Sequence, residues 1–318
     1  MIMKKVISVD LGGTNIRAAL ATTDGNLLHT IRKPTNAIEG KKVVIDRIEK
    51  TIREAGVDEW ESVEEIGVVA PGPLNPYTGI LTYSPNLPGW DNVPIKRILQ
   101  DRLDKSVRVG NDANLAALAE HQFGAGRGLK HLIYITVSTG IGGGIVSHGR
   151  LIRGTTGLGA EIGQIVVDMN GPRHSSGVKG SLEYLAAGPA IARQAREKVS
   201  IVNNTAIVEL AGNVESITAK HVGQAAQAGD PLAIELITNA AQIIGTAIVT
   251  LMSIFNPQIV VIGGGVSQTG NIFFDTIREA VKDNLHADYW KNCPIVPVTF
   301  GDDVGLLGGV ALLNTPDA

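Results

Sequence analysis

Carboxylates and bulk-free glycine turns, the two ingredients that phosphoryl chemistry needs most, recur in this chain at the ends of short apolar runs. In Val109-Gly-Asn-Asp-Ala-Asn114, Asp112 stands between a short strand and an alanine-rich helix, with Asn111 and Asn114 beside it. A carboxylate held there suits a general base that takes a proton from a hydroxyl. The same junction also suits a helix N-cap, whose oxygen satisfies free helical N–H groups.

Asp10-Leu-Gly-Gly-Thr-Asn15 ends a buried strand with an acid and follows it with a turn free of side-chain bulk. Backbone N–H groups at Gly12 and Gly13, helped by the Thr14 hydroxyl, can surround a phosphate, and Asp10 can hold Mg²⁺ directly or through water. Any hairpin can also use Gly-Gly. Ser138-Thr-Gly-Ile-Gly-Gly-Gly144 offers a second such turn, with Thr139 as hydroxyl donor beside Gly140. Gly263, Gly264 and Gly265 form a third close-approach site, suited to the flat face of a nucleotide. None of these has the Gly-Lys-Ser/Thr ending of a P-loop or the pattern of a dinucleotide fingerprint.

Phosphoryl transfer also requires that the acceptor be held in line with the phosphates. Side chains that could hold ring hydroxyls are Asn86, Asn111, Glu161 and Glu183, all in loops or at helix starts. For Glu161 and Glu183 a solvated surface or capping role is the competing reading.

These residues need a scaffold, and periodicity supplies one. Strands are expected at 5–10, 15–21, 27–32, 66–70, 107–109, 131–137 and 258–262, with a further one at 295–299. Helical spacing predicts helices over 38–55, 95–103, 113–121, 181–199, 272–285 and 303–313. Asp230-Pro231 starts another that Asn256-Pro257 ends. The proline-rich stretch 71–94 is expected to hold no regular structure. From 131 onward the order of strand, glycine turn, strand, short hairpin and strand echoes the first forty residues, as a duplicated α/β domain would.

Composition narrows the class. The 318 residues allow about two domains, and apolar (44%) and charged (19%) fractions are those of a folded globular protein. A formal charge of -3 gives no general attraction to nucleic acid or anionic membrane. One cysteine, Cys293, rules out an intrachain disulfide and any cysteine-rich metal site. The N-terminus lacks a secretory pattern, so a cytoplasmic location is expected. The apolar stretch 240–255 carries polar residues and is shorter than the roughly 20 residues that span a bilayer, so it reads as a core helix.

Taken together, Asp10-Leu-Gly-Gly-Thr, Pro71-Gly-Pro-Leu-Asn, Pro85-Asn-Leu-Pro-Gly-Trp, Asn111-Asp-Ala-Asn, Thr136-Val-Ser-Thr-Gly-Ile-Gly-Gly-Gly and Gly159-Ala-Glu-Ile-Gly resemble the ROK family of sugar kinases and repressors. They are most like the motifs of its bacterial and archaeal glucokinases. The resemblance runs over nearly the whole chain and implies a two-domain, actin-like (ribonuclease H-like) α/β ATPase fold with a ligand cleft between the domains. The expected division is 1–112 plus 302–318 as a small domain and 113–301 as a large one. It further implies ATP and Mg²⁺, Asp112 as catalytic base, and Gly72, Asn86, Asn111, Asp112, Glu161 and Glu183 around the sugar. Asp10, Gly12, Gly13, Thr14, Asn15, Thr139, Gly140 and Gly263–Gly265 would lie along the nucleotide. A homodimer or homotetramer is implied as well.

The chain departs from the family pattern in one window. Where members usually carry three zinc-binding cysteines before a glutamate, His174, Ser176 and Ser181 stand before Glu183, and the usual histidine after Glu-Ile-Gly is Gln164. Such a set cannot make a thiolate-rich tetrahedral site, so no structural zinc is expected. Gln164 still offers a hydrogen bond to a sugar hydroxyl, and its substitution for histidine predicts relaxed sugar selectivity. The expected activity is therefore an ATP-dependent glucokinase, with a kinase for fructose, mannose or N-acetylmannosamine, or a non-catalytic sugar-binding regulator, as alternatives. Polyphosphate in place of ATP would meet the same turns. Family repressors carry an added N-terminal helix-turn-helix, whereas this sequence starts at the first kinase strand.

Overall fold

The computed structural model describes residues 4–84, 86–173, 177–202 and 205–316. His174 and Ser176 of the zinc window, and Pro85 of the Pro-Asn-Leu-Pro-Gly-Trp loop, lie outside them.

The chain opens with β1 (Lys5–Leu11), β2 (Asn15–Thr22) and β3 (Leu27–Pro34), an antiparallel meander. There follow α1 (Lys41–Ala55), β4 (Val63–Ala70), a hairpin of β5 (Leu74–Asn75) and β6 (Ile80–Leu81), α2 (Ile95–Leu103), β7 (Ser106–Asn111) and α3 (Asp112–Gln122). The second half carries β8 (Leu132–Val137), β9 (Ile141–Ser147), β10 (Arg150–Leu151), α4 (Leu182–Ala186), α5 (Gly188–Val199), α6 (Ala206–Ala211), α7 (Ala219–Gln227) and α8 (Pro231–Phe255). It ends with β11 (Ile259–Gly263), α9 (Asn271–Asn284), α10 (Ala287–Trp290), β12 (Ile295–Pro297) and α11 (Val304–Leu313).

Two compact units result, one of residues 1–129, 144–160 and 299–318, the other of 130–143 and 161–298. The sheets run β3-β2-β1-β4-β7 and β10-β9-β8-β11-β12. Counted from the first strand of each sheet, both have the order 3-2-1-4-5, and in both the fourth strand lies parallel to the first and fifth. This repeat is what the echoed strand-turn-strand pattern led one to expect.

In the first unit, Ile45, Ile48 and Ile52 of α1 join Ile7, Val9 and Leu11 in a core with no exposed member. On the other face α11 approaches the sheet at backbone distance. A Cβ on Gly67 would lie 2.3 Å from the Gly309 carbonyl, one on Gly309 would lie 2.1 Å from Ser8 Oγ, and Ser8 Oγ itself donates to the Leu306 carbonyl at 2.5 Å. Only glycine allows that spacing.

In the second unit α8 is long and apolar enough, by length and composition, to cross a bilayer. Here it is a core helix. Leu236, Ile237, Ile244 and Ile248 are buried, and Gly245 brings it so close to α9 that a Cβ would meet that of Ala280 at 2.6 Å.

Helices α6, α7 and α10 were not expected, and three further elements differ from expectation. The 71–94 stretch holds the β5–β6 hairpin, because Asn75 Oδ1 accepts the N–H groups of Tyr77 and Thr78 and closes a tight turn. The helix expected over 181–199 breaks at extended Ala187, since the Gly188 N–H turns away to the Ser138 carbonyl. The helix expected from 38 starts at Lys41, after Gly40 at φ 91.

Candidate active site

In the first unit, β1, β4 and β7 end on the same side of a parallel set and deliver the residues of interest. Asn111 is the N-cap of α3: its Oδ1 accepts the N–H groups of Ala113 at 3.1 Å and Asn114 at 3.2 Å, a cap that contributes about 1 kcal/mol. Its Nδ2 donates to the Gly72 carbonyl at 3.3 Å. Gly72 has φ 83, and a Cβ there would lie 2.4 Å from the Tyr83 carbonyl, so this glycine serves the site by holding Asn111.

With Asn111 as cap, Asp112 is the first residue of the helix, and its Oδ1 accepts the Ala113 N–H at 2.7 Å. The side chain reaches the surface, yet protein atoms crowd it on most sides. Loss of water around the carboxylate raises its pKa from 3.8 to about 6; the charge of Asp10 pushes the same way, and hydrogen bonds from Ala113 and Asn111 oppose it.

Asp10 pairs with its cross-strand partner Arg17, whose Nη2 and Nε reach Oδ2 at 2.5 and 3.2 Å. Over this carboxylate lies Gly305, at the start of α11, where a Cβ would meet Oδ2 at 2.6 Å. Sequence reading missed Gly305; the Gly305-Leu-Leu-Gly-Gly309 spacing, one turn apart on a helix, was the available signal. Among the described residues no group of three His, Cys, Asp or Glu could by itself hold a metal. Asp10 alone fits Mg²⁺, because that ion takes one or two carboxylates and fills its shell with water and phosphate oxygens.

The β1–β2 turn is narrower as a phosphate cradle than its sequence suggests. The Gly12 N–H donates to the Asn15 carbonyl at 2.9 Å, so it is committed to the hairpin. The Gly12 carbonyl in turn accepts from Thr35 Oγ1 at 2.6 Å. Thr14 is exposed, and Gly13 packs against Asn86, where a Cβ would lie 2.8 Å from Cβ and 3.1 Å from the carbonyl oxygen. Asn86 is exposed but anchored by its neighbours, Leu87 and Trp90, which are 0% and 1% exposed. Burying two such side chains stabilises the loop by several kcal/mol, on the order of 1.5–3 each.

The second unit makes a parallel arrangement. The Ser138 N–H donates to the Gly140 carbonyl at 2.8 Å, which tightens the turn and leaves Thr139 exposed at its tip. Glu183, in the first turn of α4, accepts the Ile141 N–H at 2.8 Å through Oε2. Glu161 and Gln164 bracket one short helical turn; both are exposed, while Ile162 between them is buried and Gly163 lies against the Ile141 carbonyl. Ala160, just before, is a non-glycine residue at φ 66. Gly264 (φ 89) abuts the Val137 carbonyl, and Gly265 faces open space.

Thus Asp10, Gly12–Asn15, Gly72, Asn86, Asn111 and Asp112 belong to the first unit, and Thr139, Gly140, Glu161, Gln164, Glu183 and Gly263–Gly265 to the second. Each unit joins a glycine turn to at least one polar side chain expected at the sugar.

The ROK family profile matches residues 6–315. A glucokinase of Thermotoga maritima is 40% identical over 98% of this chain and 97% of its own. The ROK hexokinase from Thermus thermophilus superposes with a TM-score of 0.84 at 35% identity, over 97% of both chains. A ROK family glucokinase from Streptomyces griseus, solved in complex with glucose and AMPPNP, superposes with a TM-score of 0.82 at 32% identity, over 97% of this chain and 98% of that one. With its two α/β units and their repeated sheet order, the chain has the actin-like sugar-kinase fold and belongs to the ROK family.

Proposed function

We propose that this ROK-family sugar kinase transfers the γ-phosphoryl group of ATP to the 6-hydroxyl of glucose, with Asp112 as general base. The observation that carries the reading is the division of labour at α3: Asn111 caps the helix and leaves the Asp112 carboxylate for chemistry. Its pKa near 6 supports the same role, since a base poised just below neutral pH is ionised yet retains proton affinity.

In this reading Asp112 takes the proton of the attacking hydroxyl as its oxygen bonds to the γ-phosphorus and the bond to ADP breaks. Asn86, Asn111, Glu161, Gln164 and Glu183 orient the sugar ring. The turns at Gly12–Asn15 and Thr139–Gly140, with Gly263–Gly265, hold the nucleotide. Asp10 would hold Mg²⁺, which when bound would supply charge neutralisation at the phosphates. The similarity to glucokinases favours glucose as acceptor and ATP as donor, and such an enzyme works in the cytoplasm.

The test is ADP release with ATP and Mg²⁺ across glucose, mannose, fructose, glucosamine, N-acetylglucosamine and N-acetylmannosamine, with Asp112→Asn as control. Glucose-dependent release that vanishes in the variant, with product phosphorylated at carbon 6 by NMR, is the expected result. Equal turnover in the variant would remove Asp112 from the mechanism, and a lack of any sugar stimulation would sink the kinase reading.

A further inference from the structure

Gln164 ends a short helical turn and Glu183 lies in the first turn of α4, and the segment that follows the one runs beside the segment that precedes the other. The Leu182 N–H donates to the Ile165 carbonyl at 2.8 Å, Val166 and Ser181 form an antiparallel bridge, and the Val167 and Asp168 N–H groups both donate to the Gly180 carbonyl, at 3.0 and 3.3 Å. At the near end a Cβ on Gly163 would lie 3.3 Å from Glu183 Cβ. Residues 163–168 and 180–183 thus make one antiparallel clasp, and its rungs set the spacing between Gln164 and Glu183.

Asp168 locks the far end. Its Oδ1 accepts the Asn170 N–H at 2.9 Å, its carbonyl accepts the Gly171 N–H at 3.1 Å, and the Gly180 N–H returns to the Pro172 carbonyl at 2.8 Å. Gly180 has φ 61, and a Cβ there would overlap the Asp168 carbonyl oxygen, so only glycine fits. Asp168 itself is exposed, whereas Gly171 and Gly180 behind it are buried. Of the positions where the family pattern has zinc ligands, Gln164 and Ser181 are described residues, and neither suits the metal. Zinc takes thiolate, imidazole and carboxylate rather than an amide. Ser181 is 1% exposed, and its hydroxyl accepts the Tyr184 N–H at 3.4 Å as the cap of α4. Every rung of the clasp is a hydrogen bond of the chain to itself.

We propose that this clasp works without zinc and that Asp168, with Gly180, is a positioning residue for the sugar: it fixes Gln164 against Glu183 and touches no substrate. That the positioned ligand is a sugar rests on the reading of the site given above. The base, Asp112, belongs to the other unit and shares no bond with the clasp. Loosening the clasp therefore weakens the hold on the ring and leaves proton transfer alone, so KM for the sugar rises while kcat stays the same.

Wild type, Asp168→Ala, Asp168→Asn and Gly180→Ala are compared by calorimetric titration with glucose, by steady-state kinetics, and by hydrogen exchange at the Val167 and Leu182 amides without sugar; zinc is measured in each purified protein. Asp168→Ala is expected to bind glucose more weakly by roughly three- to tenfold, the worth of one hydrogen bond, with kcat unchanged and faster exchange at both amides. Gly180→Ala should go further in the same direction. Asp168→Asn keeps an acceptor for the Asn170 N–H and should restore wild-type behaviour, which a general loss of stability would not produce. All four proteins should lack stoichiometric zinc, and a zinc chelator, with Mg²⁺ restored, should change neither exchange nor turnover. Wild-type affinity and KM in both Asp168→Ala and Gly180→Ala overturn the positioning role. One zinc per chain, whose removal speeds exchange at the two amides, overturns the metal-free clasp. A wild type that binds no hexose sinks the sugar reading instead, and the exchange arm then stands alone: unchanged exchange in the variants overturns the clasp whatever the ligand.

Discussion

Oε2 of Glu183 accepts the backbone N–H of Ile141 at 2.8 Å. A side chain expected to hold the sugar is therefore bonded to the turn expected to hold phosphate. The first unit does the same with other atoms, where Gly13 rests on Asn86. Displacement of either turn must move a side chain expected at the sugar.

Gly140→Ala tests that coupling. The added Cβ would lie 2.5 Å from Glu183 Oε2 and push the carboxylate off the Ile141 N–H. Loss of a hydrogen bond to a charged acceptor costs about 1.5–3 kcal/mol, so KM for glucose is expected to rise by roughly ten- to a hundredfold. Glu183→Gln, which can still present an oxygen to Ile141, should be milder. Steady-state kinetics with glucose as the varied substrate would expose an uncoupled turn as an unchanged KM.

The pH–rate profile follows from Asp112. A base must be ionised, and its pKa is raised to about 6 by loss of water. Accordingly kcat/KM is expected to fall as pH drops through about 6 and to level off above 7. Asp112→Asn should lose about 10²–10⁴ in kcat together with this limb of the profile. A limb that persists in the variant would assign it to another group.

The same shift has a stability consequence of definite sign. Because the folded-state pKa of Asp112 lies above the 3.8 of the unfolded chain, the folded protein is favoured by this group below that value and loses the benefit as pH rises through about 6. Asp112→Asn is thus expected to melt at a higher temperature than wild type at pH 8, with the gap closing toward pH 4. Calorimetry at three pH values would show it, and a variant that melts lower at pH 8 would contradict it.

Gly305→Ala should lower activity through Asp10. The new Cβ would sit 2.6 Å from Oδ2 and force the carboxylate or α11 to shift. Misplacement by about 1 Å can cost a hundredfold, so kcat/KM for MgATP is expected to drop by at least tenfold and the Mg²⁺ requirement to rise. Circular dichroism should show an intact fold, since alanine favours helix.

Gln164 is expected to make the enzyme permissive among hexoses. Restoring the family's usual residue with Gln164→His should change the ratio of glucose to mannose and fructose efficiency, measured by ADP release. Wild-type preference for one hexose by several orders of magnitude would contradict the relaxed reading.

Much of this architecture was legible because periodicity and glycine spacing are local. Strand, turn and helix around Asp10 and Asp112 follow from alternation and from small residues, and the echo between residues 6–15 and 134–143 anticipated two sheets of one strand order. Interactions between distant segments were not legible. Nothing near Asp10 in sequence announces Gly305, and nothing near Gly13 announces Asn86. Likewise the break at Ala187 arises from the Ser138 carbonyl, nearly fifty residues away, and α7 was missed although Thr218 and His221 cap each other reciprocally at its start.

The assignment of the cap to Asn111 has a further meaning for how such proteins diverge. Had Asp112 closed the helix, substitutions that remove its side-chain oxygens would also have weakened the cap, by about 1 kcal/mol. With the structural task on the neighbouring side chain, one base change from an aspartate to an asparagine codon is expected to silence transfer while sparing the scaffold. At this helix start, transfer and folding are thus expected to answer to different side chains.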